Sequence, residues 1–175
     1  SRILKRLVFP KSMYWEDPSI RFARPVRWLV ALWEDQVIPL RFGSVQSGRV
    51  TRGHRFMGAS TVEIGAPSEY VEKLRNECVW VDPNDRRNAI LAGIQAIEKE
   101  IGGKADIPAE LLEENTQLVE FPVVFYGSFD PEFLDIPQEV LITSMQKNQR
   151  YFPVRDEKGR LMPNFIGVSN NKARD

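Results

Sequence analysis

The chain has 175 residues, 42% of them hydrophobic, with 24 Lys and Arg against 24 Asp and Glu. This is enough apolar material for one core or a compact pair of lobes, and no run of 18 apolar residues offers a membrane span. One cysteine and one histidine exclude an internal disulfide and are too few to fill a tetrahedral zinc site.

The opening stretch, SRILKRLVFPKSMYWED, lacks an initiator methionine and the long apolar region of a signal peptide. The closing stretch, GVSNNKARD, trails off in polar residues. Both read as cut ends, so the chain is expected to be an internal piece of a longer protein. Residues 27–33 predict a strand, Glu34-Asp35 a turn and 36–42 a return strand, with Pro39 confining the second strand to an edge or a bulge. Trp28, Val30 and Leu32 alternate with Leu29, Ala31 and Trp33, which predicts a strand covered on both faces. Residues 43–60 read as a long loop with short strand pieces, and 62–64 as a strand. Residues 67–78 predict a helix with Tyr70, Leu74 and Cys78 on its apolar face. Cys78 is expected there as a buried inert thiol, which fits a reducing cytoplasm.

Residues 79–81 predict a buried strand piece. Asp82 then caps a helix that opens on Pro83, runs through Ile90, Ile94, Ile97 and Ile101, and stops at Gly102-Gly103. Pro108 opens a third helix with Leu111, Leu112 and Leu118 on its apolar side. Residues 119–129 predict a strand interrupted by Pro122, 137–148 a helix, and 149–170 two strands joined around 156–159. Helices and strands mix without strict alternation. The expected fold is α+β, with a mixed, largely antiparallel sheet or sheets and about four helices. It forms one module over 1–175, or two lobes of about 1–66 and 67–175.

The zero net charge hides segregation. Residues 1–55 hold 11 basic against 4 acidic residues, 56–145 hold 6 against 17, and 146–175 hold 7 against 3. Either the basic segments form a face for a polyanion, or the segments interleave in space and neutralise one another. Arg21, Arg24, Arg27, Arg41, Arg49, Arg52 and Arg55 fall within 35 residues, interleaved with Phe22, Trp28, Trp33, Phe42 and Phe56. Planar guanidinium groups bind phosphate bidentately and stack on bases, and aromatic rings hold unstacked bases. A second cluster, MQKNQRYFPVR, carries Lys147, Arg150 and Arg155. The candidate nucleic-acid-binding residues are Arg24, Arg27, Arg49, Arg52, Arg55, Lys147 and Arg150.

The run TRGHRF (51–56) holds the single histidine. Catalysis by His54 needs a nucleophile or an orienting partner, and its neighbours Thr51 and Ser60 belong to no recognised motif. The positive charge of Arg52 and Arg55 favours the neutral imidazole. His54 is therefore expected to anchor the loop, with contact to RNA or a partner as the alternative and a catalytic base the least supported. Gly53 is expected to give the loop a backbone conformation that other residues resist. No P-loop, dinucleotide fingerprint, HExxH or GxSxG occurs. Glu113 and Glu114 are adjacent in a predicted helix, so they point about 100° apart and share no proton. No residue is assigned as catalytic and none as a metal ligand.

Four stretches taken together carry a resemblance: RFARPVRWLVAL (21–32), GRVTRGHRF (48–56), LLEENTQLVEFPVVFYGSFDPEFLDIPQEVLITSMQKNQRYFPV (111–154) and PNFIGVSN (163–170). They closely resemble the β subunit of the two-subunit bacterial glycyl-tRNA synthetases, over nearly the whole chain. The resemblance implies an internal piece from the N-terminal half of that subunit. It also implies a cytoplasmic α₂β₂ ligase in which the α subunit uses ATP, Mg²⁺ and glycine, so that no cofactor is expected in this piece. The implied partners are the α subunit and glycine tRNA, which the β subunit helps to hold. A non-catalytic tRNA-contacting module is the leading expectation. A scaffold that docks the α subunit is the second, and an editing-like hydrolase centred on His54 is the remote one.

Overall fold

The computed structural model describes residues 6–15 and 17–172. The cut-end readings of the opening SRILK and the closing ARD lie outside the described residues. The fold is α+β, and the chain divides into two compact units, 1–77 and 78–175.

The first unit consists of short paired strands. β1 (Met13–Trp15) and β2 (Asp17–Phe22) pair antiparallel. β3 (Leu29–Val30) and β4 (Leu32–Trp33) are separated at Ala31, and β5 (Gln36–Val37) returns from β4 around Glu34, whose φ is 52°. The expected hairpin is present, but Pro39 splits its return strand. β6 (Arg41–Phe42) follows that break and pairs antiparallel with β7 (Val45–Gly48), which pairs parallel with β3. β8 (Val50–Thr51) and β9 (Val62–Glu63) form the last antiparallel pair, and α1 (Tyr70–Asn76) closes the unit after a 3₁₀ turn. Phe42, Val62, Ile64 and Leu74 are its buried hydrophobic residues.

Two expectations fail here. The strand over 27–33 is not covered on both faces, because Trp33 is 71% and Trp28 42% exposed. Two-residue strands cannot keep an alternating pattern in register, so those rings stand at the surface. Cys78 does not lie on the helix. It follows the helix end with φ 58° and is half-buried.

The second unit is a helix-backed antiparallel sheet. α2 (Pro83–Ile101) begins where Asp82 Oδ1 accepts the Asn84 N–H at 2.8 Å, and ends at Gly102 in the left-handed region. β10 (Lys104–Ala105), α3 (Ala109–Leu118), β11 (Val123–Ser128), α4 (Gln138–Thr143), β12 (Phe152–Arg155) and β13 (Leu161–Ser169) complete it. The sheet order is β10-β12-β13-β11. Ile90, Ile94 and Ile97 of α2 and Leu111 and Leu112 of α3 pack with Phe152, Val154 and Ile166 of the sheet into one core. Residues 79–81 form no strand, although a buried one is expected there. Leu118 is 57% exposed, and Asn115 and Thr116 are buried instead. Asn115 Nδ2 donates to the carbonyls of Leu111 and Arg150, and Thr116 Oγ1 donates to Leu112 O. Each thus places a side-chain donor on a carbonyl inside the core.

The β12–β13 turn rests on one carboxylate. Asp156 Oδ1 accepts the N–H groups of Lys158 and Arg160, and Oδ2 accepts Arg160 Nε at 2.8 Å. The Arg160 backbone N–H holds this carboxyl below the usual aspartate range most strongly, burial opposes it, and the Arg160 guanidinium and the Lys158 N–H lower it further. A lowered folded-state pKa adds stability that is present above the ordinary aspartate value. It is lost as pH falls through the lowered one. Protection of the Lys158 and Arg160 amides, taken relative to the intrinsic exchange rate at each pH, should therefore fall only in acid, and Asp156→Asn should remove most of that pH dependence.

Candidate nucleic-acid interface

The loop that carries TRGHRF joins β8 to β9 and is fastened at both of its ends. The Gly53 N–H donates to Ala59 O at 2.9 Å and the Gly58 N–H to His54 O at 2.8 Å, which folds 53–59 into a closed turn. Glu77, just past α1, then takes two more donors. Its carbonyl accepts the His54 N–H at 2.8 Å and its Oε2 accepts the Ala59 N–H at 2.6 Å. The two glycines are needed for this close approach. A Cβ on Gly53 would lie 2.7 Å from Glu77 Cβ, and one on Gly58 would lie 2.4 Å from Glu77 O. Gly53 does not take the left-handed conformation, which belongs to Gly43, Gly102 and Gly159. Its requirement is space and not backbone freedom.

His54 is 1% exposed. Its Nδ1 accepts the Phe56 N–H at 3.3 Å, and its Nε2 has no partner among the described residues. Neither Thr51 nor Ser60 is bonded to the imidazole. Thr51 Oγ1 instead accepts Trp28 Nε1 at 3.2 Å. The geometry makes His54 a packed post within the loop. It offers no nucleophile, and no metal-holding group of His, Cys, Asp and Glu exists among the described residues.

The loop's arginines face a different fate. Arg52 Cζ lies 4.9 Å above the centre of the Trp28 ring, and Arg55 Cζ lies 5.5 Å from that of Phe56. A guanidinium on an aromatic face keeps its charge and leaves its N–H edges open to phosphate. Arg49 is committed elsewhere, donating from Nη2 to Asp35 O at 2.8 Å and from Nη1 to Gly65 O at 3.5 Å. Arg24 and Arg27 are exposed on the segment leading into β3. No arginine between 21 and 55 forms an ion pair among the described residues.

The second cluster behaves oppositely. α4 continues into a π-helical turn, Ser144–Gln149, which Arg150 ends with φ 58°. Arg150 Nε contacts Glu114 Oε1 at 2.5 Å, Arg155 Nε contacts Asp106 Oδ2 at 2.8 Å, and Arg160 pairs with Asp156. Lys147 is exposed on the π turn, with no acidic partner among the described residues. Of the two aromatic residues in this cluster, Tyr151 stacks on Phe165 at 4.4 Å and Phe152 is buried in the core. Of the seven candidate cations, Arg24, Arg27, Arg52, Arg55 and Lys147 remain open to a ligand, and Arg49 and Arg150 hold structure.

Charge follows the unit boundary. Residues 1–77 carry 13 basic against 8 acidic side chains, and 78–175 carry 11 against 16. In the basic unit Arg52 and Arg55 rest on aromatic rings, whereas in the acidic unit Arg87, Lys104, Arg150, Arg155 and Arg160 pair with carboxylates and Arg86 binds backbone carbonyls. Glu77 and Gly58 went unrecognised in the sequence, because Glu77 meets the loop across 18 or more residues of chain and neither belongs to a local pattern.

A family described as "Glycyl-tRNA synthetase beta subunit" matches residues 1–175. The chain is 46% identical over 173 residues to a glycine–tRNA ligase β subunit of Streptococcus agalactiae, covering 99% of this chain and 25% of that protein. It is 47% identical over 170 residues to the corresponding subunit of Streptococcus pyogenes, covering 97% and 25%. Against that of Clostridioides difficile it is 44% identical over 167 residues, covering 95% and 24%. The chain thus spans about a quarter of the length of these relatives.

Proposed function

Because this chain belongs to the glycyl-tRNA synthetase β-subunit family, we propose that it is a non-catalytic region of a glycine–tRNA ligase and that its basic unit holds glycine tRNA. One observation carries this reading. Arg52 and Arg55 rest on aromatic rings with no acidic partner among the described residues, on a loop that Glu77 and two glycines hold rigid. Rigid presentation lowers the ordering cost of binding and leaves the guanidinium edges for phosphate. The ligase would be a cytoplasmic α₂β₂ assembly in which the α subunit binds ATP, Mg²⁺ and glycine and this region positions the RNA. A docking role toward the α subunit is the second reading, favoured by the exposure of Phe133, Leu134, Ile136 and Val140 in the acidic unit.

The test is a salt series on the full-length β subunit assembled with its α partner. Arg52→Ala with Arg55→Ala should weaken binding of glycine tRNA by about tenfold or more. The slope of log affinity against log salt should flatten by about one to two units, as expected for two lost phosphate contacts. Unchanged affinity and slope in a correctly assembled enzyme would remove the tRNA reading. Loss of the heterotetramer after Phe133→Ser with Val140→Ser would favour docking instead.

A further inference from the structure

Beside the Arg52–Trp28 pair the basic unit holds a cavity of about 380 Å³. Trp28, Thr51, Ile64, Pro67 and Tyr70 are among its lining residues. The position is informative, because the cavity contains what base recognition requires. Two aromatic residues and a proline stand among its walls, and the size falls in the ordinary range for ligand pockets. Thr51 Oγ1 accepts the Trp28 indole N–H, so its own hydroxyl hydrogen is left to donate to a base edge. The Tyr70 hydroxyl has no hydrogen-bond partner among the described residues. Positive charge sits at the same ring, in Arg52, and one residue before it, in the exposed Arg27.

We propose that this cavity receives one unpaired nucleobase of the bound RNA, held against Trp28 and Tyr70 while Arg52 takes an adjoining phosphate. An aliphatic side chain of a partner protein would fill the walls equally well, but it gives no role to the guanidinium on Trp28 or to the two hydroxyls. The inference rests on the tRNA-holding reading above and sharpens it from phosphate contact to base capture. Arg52 would then bridge two functions, since stacking on Trp28 fixes both the ring and the charge.

The experiment uses the assembled ligase with full-length β subunit and a glycine tRNA transcript, with affinity measured across a salt series. Trp28→Leu and, separately, Tyr70→Leu should each weaken binding by about tenfold, in the range that loss of one stacked base gives. Trp28→Phe should restore most of the loss. The salt slope should fall much less for Tyr70→Leu than for the Arg52/Arg55 variant, because Tyr70 carries no charge. Tyr70 lies on another element from Trp28, so it tests the cavity even where Trp28→Leu disturbs the loop. If both leucine variants keep wild-type affinity while the arginine variant loses it, the base pocket is overturned and the phosphate-contact reading stands. If the arginine variant is also unaffected, both fall. If the leucine variants spare tRNA binding and weaken subunit assembly, the cavity holds a protein side chain and the inference is likewise overturned.

Discussion

Arg86→Ala is expected to destabilise the acidic unit by about 3 kcal/mol, the largest stability effect anticipated in that unit. The guanidinium of Arg86 reaches three backbone carbonyls. Nε donates to Thr116 O at 3.0 Å, and Nη1 donates to Trp80 O at 2.5 Å and to Val81 O at 2.9 Å. These acceptors are groups that regular structure leaves unpaired. Thr116 lies in the last turn of α3, where carbonyls have no partner within the helix, and residues 80–81 belong to no strand. Hydrogen bonds to a charged donor are each worth about 1.5–3 kcal/mol and do not add fully. Losing all three removes a charged donor from each of these carbonyls, and the Thr116 residue is fully buried. Arg86→Lys should recover only part of the loss, since one ammonium cannot span the planar fork. Denaturation of the full-length β subunit, with hydrogen exchange read over peptides covering 79–82 and 115–119, would test this. An unchanged exchange rate at Trp80, whose N–H donates to Glu120 O at 2.8 Å, would contradict it.

The same residue explains why 79–81 misleads a reader of the sequence. Val-Trp-Val is a strong strand pattern, and it predicts a sheet partner. The partner is supplied from a helix side chain, six residues away from Trp80 in one contact and thirty residues from Thr116 in another. Nothing in the local pattern carries that information. By contrast α2 was legible from end to end, because its cap, its proline, its isoleucine spacing and its glycine stop are all local. The β12–β13 turn was legible for the same reason, with Asp156 bonding only to residues two and four positions on. Leu118 shows a milder failure. Helical spacing placed it on the apolar side, but the buried face of α3 turns toward Asn115 and Thr116, whose donor atoms find carbonyls inside the core. In the candidate site, composition brought the arginines and aromatics into view but not which of them pair. That assignment depends on Asp35 and Gly65 carbonyls reaching Arg49, and on Glu114 reaching Arg150. Those contacts are set by chain geometry over distances that periodicity cannot report.

Gly58→Ala should be the most damaging small substitution in the basic unit, at about 3 kcal/mol. A Cβ there would stand 2.4 Å from Glu77 O and 2.6 Å from the backbone N of His54. Both are main-chain atoms, so no side-chain rotation can relieve the contact. The turn would have to open, at the expense of the Gly58-to-His54 bond and of the two bonds that the His54 and Ala59 N–H groups donate to Glu77. Gly48→Ala is the matched control, since a Cβ at Gly48 meets nothing within 4 Å, and it should be close to neutral. The consequence for binding follows from position alone. Gly58→Ala removes no charge, yet it frees the loop on which Arg52 rests against Trp28 and Arg55 against Phe56. Affinity for glycine tRNA should then fall in the assembled enzyme while long-range attraction at low salt persists, because the cations remain but are no longer held in place. Glu77→Ala should reproduce part of the effect by removing the Ala59 acceptor and leaving the carbonyl in place. If Gly58→Ala loosens the loop by hydrogen exchange and leaves tRNA affinity intact, the arginines act as mobile charges and rigid presentation is not what the loop provides.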